Sequence, residues 1–128
     1  MLTISEVSQK YNLSQDTLRY YERIGLIPKV NRNKSGIRRY TEEDCDWVYF
    51  VKCMRSAGLS IESLTKYVTL YQQGIDTVLE RKKLLIEEQV KLVNKIEEMK
   101  EVLNRLDLKI DGYEERMQQV QGKKKGYL

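Results

Sequence analysis

The sequence predicts a mainly α-helical chain: a winged helix-turn-helix head followed by a long dimerising coiled-coil helix. Three observations carry that reading. Residues 3–25 hold two short helices with start and stop signals, residues 27–40 form a basic segment around a turn-forming tip, and residues 78–117 carry a seven-residue apolar repeat. With 128 residues and a net charge of +4, the chain has enough apolar sequence for one small domain plus an extension, not for two independent cores.

The first helix opens at Thr3, which makes a capping box with Glu6, and its apolar positions Ile4 and Val7 lie three apart. It should end near Tyr11 and Asn12. Ser14 then caps a second helix that Gly25 terminates, and the short gap between the two is the outline of a helix-turn-helix. In this second helix Leu18 and Tyr21 are free to face a core, while Asp16, Thr17, Arg19 and Tyr20 face away. The outward side chains Arg19, Tyr20 and Arg23 fall within about one turn, a surface suited to phosphate.

Residues 27–40 contain the only proline and a polar tip from Asn33 to Gly36, flanked by Val30 and Ile37; a hairpin is the economical reading. Arg32, Lys34, Arg38 and Arg39 cluster around the tip and its return strand, too many charges to bury, so they should project as a wing. Thr41 caps a third helix whose first turn holds Glu42, Glu43 and Asp44 and whose stripe is Trp47, Phe50, Val51, Met54 and Ala57. Gly58 and Leu59 repeat the stop at Gly25 and Leu26. Ser60 caps a fourth helix with Ile61, Leu64, Tyr67, Val68 and Tyr71, and Gly74 interrupts it.

From Val78 the period changes to seven. Val78, Leu85, Leu92, Met99, Leu106 and Tyr113 make one series, and Lys82, Gln89, Ile96, Leu103, Ile110 and Met117 a second, offset by four; ten of these twelve positions are apolar. Forty residues of helix reach roughly 60 Å, so the seam needs a second chain to cover it. The expected organisation is a head at 1–72, a linker at 73–77, a dimerising helix at 78–118 and a flexible tail at 119–128.

Charge narrows the function. Residues 1–40 hold eight Lys and Arg against three Asp and Glu, an excess of five that is larger than that of the whole chain. The basic field therefore belongs to the head, and its partner should be double-stranded DNA. No apolar run approaches the roughly 18 residues of a membrane span and no signal-peptide pattern opens the chain, so a cytoplasmic location without membrane contact is expected. There is no histidine, which removes the usual acid–base catalyst and the commonest nitrogen ligand. Neither catalytic residues, a metal site nor a cofactor is expected. Cys45 and Cys53 lie about 12 Å apart along one helix, too far for a bridge. Acidic neighbours surround Cys45. Lys52 and Arg55 flank Cys53, and cationic neighbours favour the reactive thiolate, which makes Cys53 the preferred sensor over a purely structural cysteine.

The blocks Thr17-Leu18-Arg19-Tyr20-Tyr21-Glu22, Gly25-Leu26-Ile27, Arg38-Arg39-Tyr40 and Arg55-Ser56-Ala57-Gly58-Leu59-Ser60-Ile61 resemble, in order and spacing, the MerR family of bacterial transcription regulators. The resemblance implies a homodimer whose long helices pair antiparallel and which binds a pseudo-palindromic operator in an overlong promoter spacer. The dimer would bend and untwist that spacer so that bacterial RNA polymerase engages both promoter elements. By matching position, Thr17, Arg19 and Tyr20 would lie at the recognition helix, and Arg38 and Tyr40 would contact the backbone from the wing; with Ser14, Asp16, Lys34 and Arg39 beside them, these make up the expected DNA-contacting set. Many relatives carry metal-binding cysteines near the end of the coil or an appended effector domain; with neither here, the sensor is expected elsewhere. Cys53 occupies a place similar to the lone cysteine of the aldehyde-responsive AdhR-type subgroup, which implies an aldehyde or other small electrophile as inducer, or a redox change. Two other readings stay open: an architectural, excisionase-like protein that bends DNA without a ligand, and a coiled-coil scaffold whose basic head binds acidic partners.

Overall fold

The computed structural model describes residues 1–123. It comprises α1 (Ile4–Tyr11), α2 (Gln15–Arg23), α3 (Glu42–Ser56), α4 (Ile61–Gln73), a single 3-10 turn (Ile75–Thr77), α5 (Val78–Ile110) and α6 (Tyr113–Lys123). The chain divides into two compact units, Met1–Val90 and the segment from Lys91 onward.

Each short helix begins where a side chain satisfies its free N–H groups. Thr3 and Glu6 form the expected capping box, Ser14 Oγ accepts from Thr17 N, Thr41 forms a second box with Asp44, and Ser60 accepts from Ser63 N. α1 ends on Asn12 in the left-handed conformation (φ 53°), and the chain turns at once into α2, with Ser8 Oγ donating to the Leu13 carbonyl across the corner. At Gly25 φ is +80°, which lets the Leu26 and Ile27 N–H groups fold back on the Tyr21 carbonyl and bury both side chains.

The core of the first unit gathers one face from each element. Val7 of α1, Leu18 of α2, Val48 and Val51 of α3, and Leu26 and Tyr40 from the connections are all fully buried. Leu64 and Val68 of α4 close it from the other side. Each such aliphatic side chain contributes about 1.5–3 kcal/mol by leaving water. Leu2 pairs antiparallel with Tyr40 through N–H to O bonds of 2.9 and 2.8 Å, tying the start of the chain to the end of the wing.

The hairpin is present without a regular strand pair, closed by backbone hydrogen bonds from Asn33 N–H to the Ile37 carbonyl (2.8 Å), Gly36 N–H to the Asn33 carbonyl (3.0 Å) and Arg39 N–H to the Asn31 carbonyl (2.8 Å). Arg32 and Arg38 make one isolated antiparallel bridge, while Asn33 Oδ1 accepts from Ser35 N (2.9 Å) and Ile37 N (3.0 Å). The Asn33–Gly36 tip lies where the sequence placed it.

The expected single helix over 78–118 is divided. α5 stops at Ile110, Gly112 has φ +66°, and α6 begins at Tyr113. Arg116 stabilises the break by donating to the carbonyls of Asp111 (2.6 Å) and Lys109, two acceptors that the end of α5 leaves free. A heptad count tolerates this because Tyr113 and Met117 keep the seven-residue spacing while the backbone between them and Ile110 turns. Residues 119–123 are helical in α6, not tail; the remainder of the expected tail, residues 124–128, lies outside the described residues.

Candidate nucleic-acid interface

α2 presents its polar face outward with Leu18 and Tyr21 locked beneath it. Arg19 and Tyr20 are exposed, and Thr17 is half-buried, its Oγ1 sharing a 2.8 Å hydrogen bond with Ser14 Oγ. Ser14 is therefore occupied as the helix cap. Asp16 is almost wholly exposed and pairs with Arg19 (2.9 Å), which also donates to Gln15 Oε1; the guanidinium is thus held over the first turn of α2. One turn on, the Arg23 guanidinium stacks on Tyr20, 5.5 Å from the ring centre.

The wing joins this surface through Glu22, a residue the sequence reading did not single out. Its carboxylate accepts from Arg38 Nε at 2.7 Å and from the Val30 N–H at 3.0 Å. The two side chains are only 19% and 11% exposed, so this pair is a structural tie, not a loose surface contact. The available signal was the presence of a carboxylate in an otherwise cationic stretch. Around it Arg19, Arg23, Lys29 and Arg38 line a cleft of about 440 Å³: four cations about one anion, an arrangement suited to polyanion contact. Lys34 is exposed at the wing tip and Arg39 is half-buried. Arg32, also exposed, donates to the Gly36 carbonyl (2.9 Å) and stiffens the tip.

Tyr40 does not belong to this surface. It is fully buried and its hydroxyl finds no hydrogen-bond partner; burial pushes its pKa up, with the nearby Arg38 charge opposing. The Leu2 pairing draws residue 40 inward off the wing, because alternate positions of an extended segment point to opposite sides.

Cys45 is buried and Cys53 half-buried, both as free thiols. The cations flanking Cys53 in sequence are engaged elsewhere: Lys52 Nζ donates to the Tyr11 carbonyl, and Arg55 Nη1 to the Leu59 carbonyl at 2.5 Å. Both cations therefore have backbone carbonyls as their hydrogen-bond partners. Tyr49, four residues back on α3, interacts with the Cys53 side chain, which pushes its hydroxyl to higher pKa. Among the described residues no cluster of His, Cys, Asp and Glu could hold a metal ion, and no helix is long and apolar enough to cross a membrane.

A two-helix reading unit with a basic wing tied to it by a carboxylate defines a winged helix-turn-helix transcriptional regulator. The family model for MerR HTH regulatory proteins matches residues 2–70, and the chain belongs to the MerR family. It is 52% identical over 92 residues to the HTH-type transcriptional regulator AdhR of Bacillus subtilis, an alignment covering 72% of this chain and 66% of AdhR. A MerR family regulator from Listeria monocytogenes superposes with a TM-score of 0.87 at 46% identity, covering 96% of this chain and 93% of that one. HiNmlR, a MerR family regulator lacking the sensor domain and solved bound to promoter DNA, gives 0.81 at 30% identity over 88% of this chain and 90% of its own.

Proposed function

We propose that two copies of this regulator, joined through the α5 seam in antiparallel fashion, bind a pseudo-palindromic promoter spacer. By distorting it they control engagement by RNA polymerase. The observation that carries this reading is the cleft of Arg19, Arg23, Lys29 and Arg38 between α2 and the wing. The DNA-bound state of HiNmlR, which has the same fold, supports it. Bending a duplex requires charge contacts on both sides of the distortion, and two heads at a fixed separation supply them. The seam supplies the pairing: Met99, Leu103, Leu106 and Ile110 are each more than half exposed in the single chain.

In this reading Cys53 receives the inducer. The thiol adds across an aldehyde carbonyl, sulfur bonding to carbon and the proton passing to the carbonyl oxygen, which gives a hemithioacetal without any redox partner. Cys53 is only half-buried, and the overall likeness to the regulator AdhR supports the choice.

The test is a duplex-binding titration with spacer DNA across a salt series, paired with transcription in vitro with and without aldehyde. Binding should weaken steeply with salt, and Arg19→Ala with Arg23→Ala, which removes four cations from the dimer, should flatten the salt slope by about four. Salt-independent binding would overturn the interface. Full aldehyde induction in Cys53→Ser would overturn the sensor and leave the DNA reading intact.

A further inference from the structure

α3 and α4 enclose a second depression on the head that neither DNA contact nor the cysteine uses. Glu43, Asp46, Trp47 and Phe50 recur at helical spacing on one face of α3, and Tyr67 and Tyr71 face them from α4. The cavity measures about 240 Å³, small beside the roughly 300–1,000 Å³ of sites that take drug-sized ligands. Its wall is four aromatic rings. Trp47 meets Tyr71 edge-on with centres 5.0 Å apart, Phe50 edge-on at 6.2 Å, and Tyr67 at a tilt at 5.8 Å; Phe50 and Tyr67 stand 5.7 Å apart.

Both charged groups at the cavity are carboxylates, and no lysine or arginine lines it. Glu43 Oε1 accepts from the Tyr71 hydroxyl at 2.9 Å, which fixes the carboxylate at the mouth and pushes electron density into the phenol ring. The Arg81 guanidinium, held by Thr77 Oγ1 at 3.1 Å, sits 5.2 Å from the centre of that ring and is not part of the cavity lining. An aromatic wall with acidic groups repels anions and leaves a neutral apolar guest desolvating two carboxylates for no return. A compact cation whose charge is spread over alkyl groups satisfies both halves.

We propose that this pocket binds a small organic ammonium ion, of the trimethylammonium class, through the four rings and the Glu43 and Asp46 carboxylates. The site lies on α3 and α4, apart from the α2 and wing surface, and does not depend on the DNA reading or on Cys53.

Trp47 is the single tryptophan of the chain, so its fluorescence reports the pocket directly. The full-length protein is titrated with choline at constant ionic strength, and in parallel with 3,3-dimethylbutan-1-ol, the uncharged carbon analogue of the same shape. Choline should give a saturable change in emission and the alcohol none. Glu43→Gln combined with Asp46→Asn keeps every ring and should weaken choline binding about tenfold, while Tyr71→Leu should weaken it further. Circular dichroism of each variant establishes that the helices persist; for any variant that loses them, the wild-type comparison of choline with the alcohol stands as the test. A linear response matching that of sodium chloride, equal responses to choline and the alcohol, or an unchanged affinity in the double variant would each overturn the proposal.

Discussion

The Tyr40 hydroxyl is buried without a partner, a state that costs about 1–3 kcal/mol when the group has given up water for nothing. Tyr40→Phe removes the cost and keeps the ring. Urea unfolding at neutral pH should show the variant as stable as the parent or more so by about 1 kcal/mol, with DNA affinity unchanged. If affinity dropped tenfold, Tyr40 would have to reach phosphate after all. The same burial has an alkaline consequence. Tyr40 and Tyr21 both titrate above their ordinary value of 10.0 in the folded chain because burial disfavours the phenolate. A folded pKa raised above the unfolded one gives stability that is fully present below about pH 10 and is lost as pH rises beyond it. Tyr40→Phe should therefore make the decline above pH 10 shallower. A decline identical to that of the parent would assign it to other groups. An aromatic at the end of a basic return strand reads as a contact residue from its neighbours alone; only the Leu2 pairing reveals that it points inward.

Between elements, Glu22 is the joint between the recognition helix and the wing. It accepts one bond from a side chain and one from the backbone, so its two partners are not equivalent. Glu22→Ala removes both bonds and leaves Arg38 unpaired in a largely buried place. Arg38→Ala leaves the Val30 bond intact. The expected cost is about 2 kcal/mol for the first and about half of that for the second, by urea unfolding. Equal costs would contradict the two-bond account. The helices themselves were legible because their signals are local: Thr3, Ser14, Thr41 and Ser60 sit where the caps are observed, and Gly25 and Gly58 end their helices at positive φ. Glu22 was missed because its bond to Arg38 spans sixteen residues and leaves no periodic trace.

At the scale of the whole molecule, the apolar surface along α5 is broader than a two-position seam. Ile86, Val90, Val93, Val102 and Leu108 are exposed in addition to the heptad positions. The proposed pairing predicts that Leu103→Glu with Leu106→Glu converts a dimer to a monomer in sedimentation equilibrium at micromolar concentration, with loss of tight spacer binding while isolated heads retain weak, salt-sensitive affinity. Sedimentation as a dimer in that variant would move the interface off the seam.

What the sequence determined alone is what short-range chemistry controls: the caps, the stops, the basic first third, the heptad period, and blocks spaced closely enough to place the chain among MerR regulators before any coordinates. What the tertiary structure decided is direction and partnership. It turned Tyr40 inward, gave Glu22 to Arg38 and Val30, engaged Lys52 and Arg55 with backbone carbonyls, broke the long helix at Gly112, and brought four rings from two helices around one cavity. The reason is physical. A cap or an apolar stripe is set by neighbours three or four residues away. The bearing of a side chain toward distant groups is fixed only when packed elements remove its other choices.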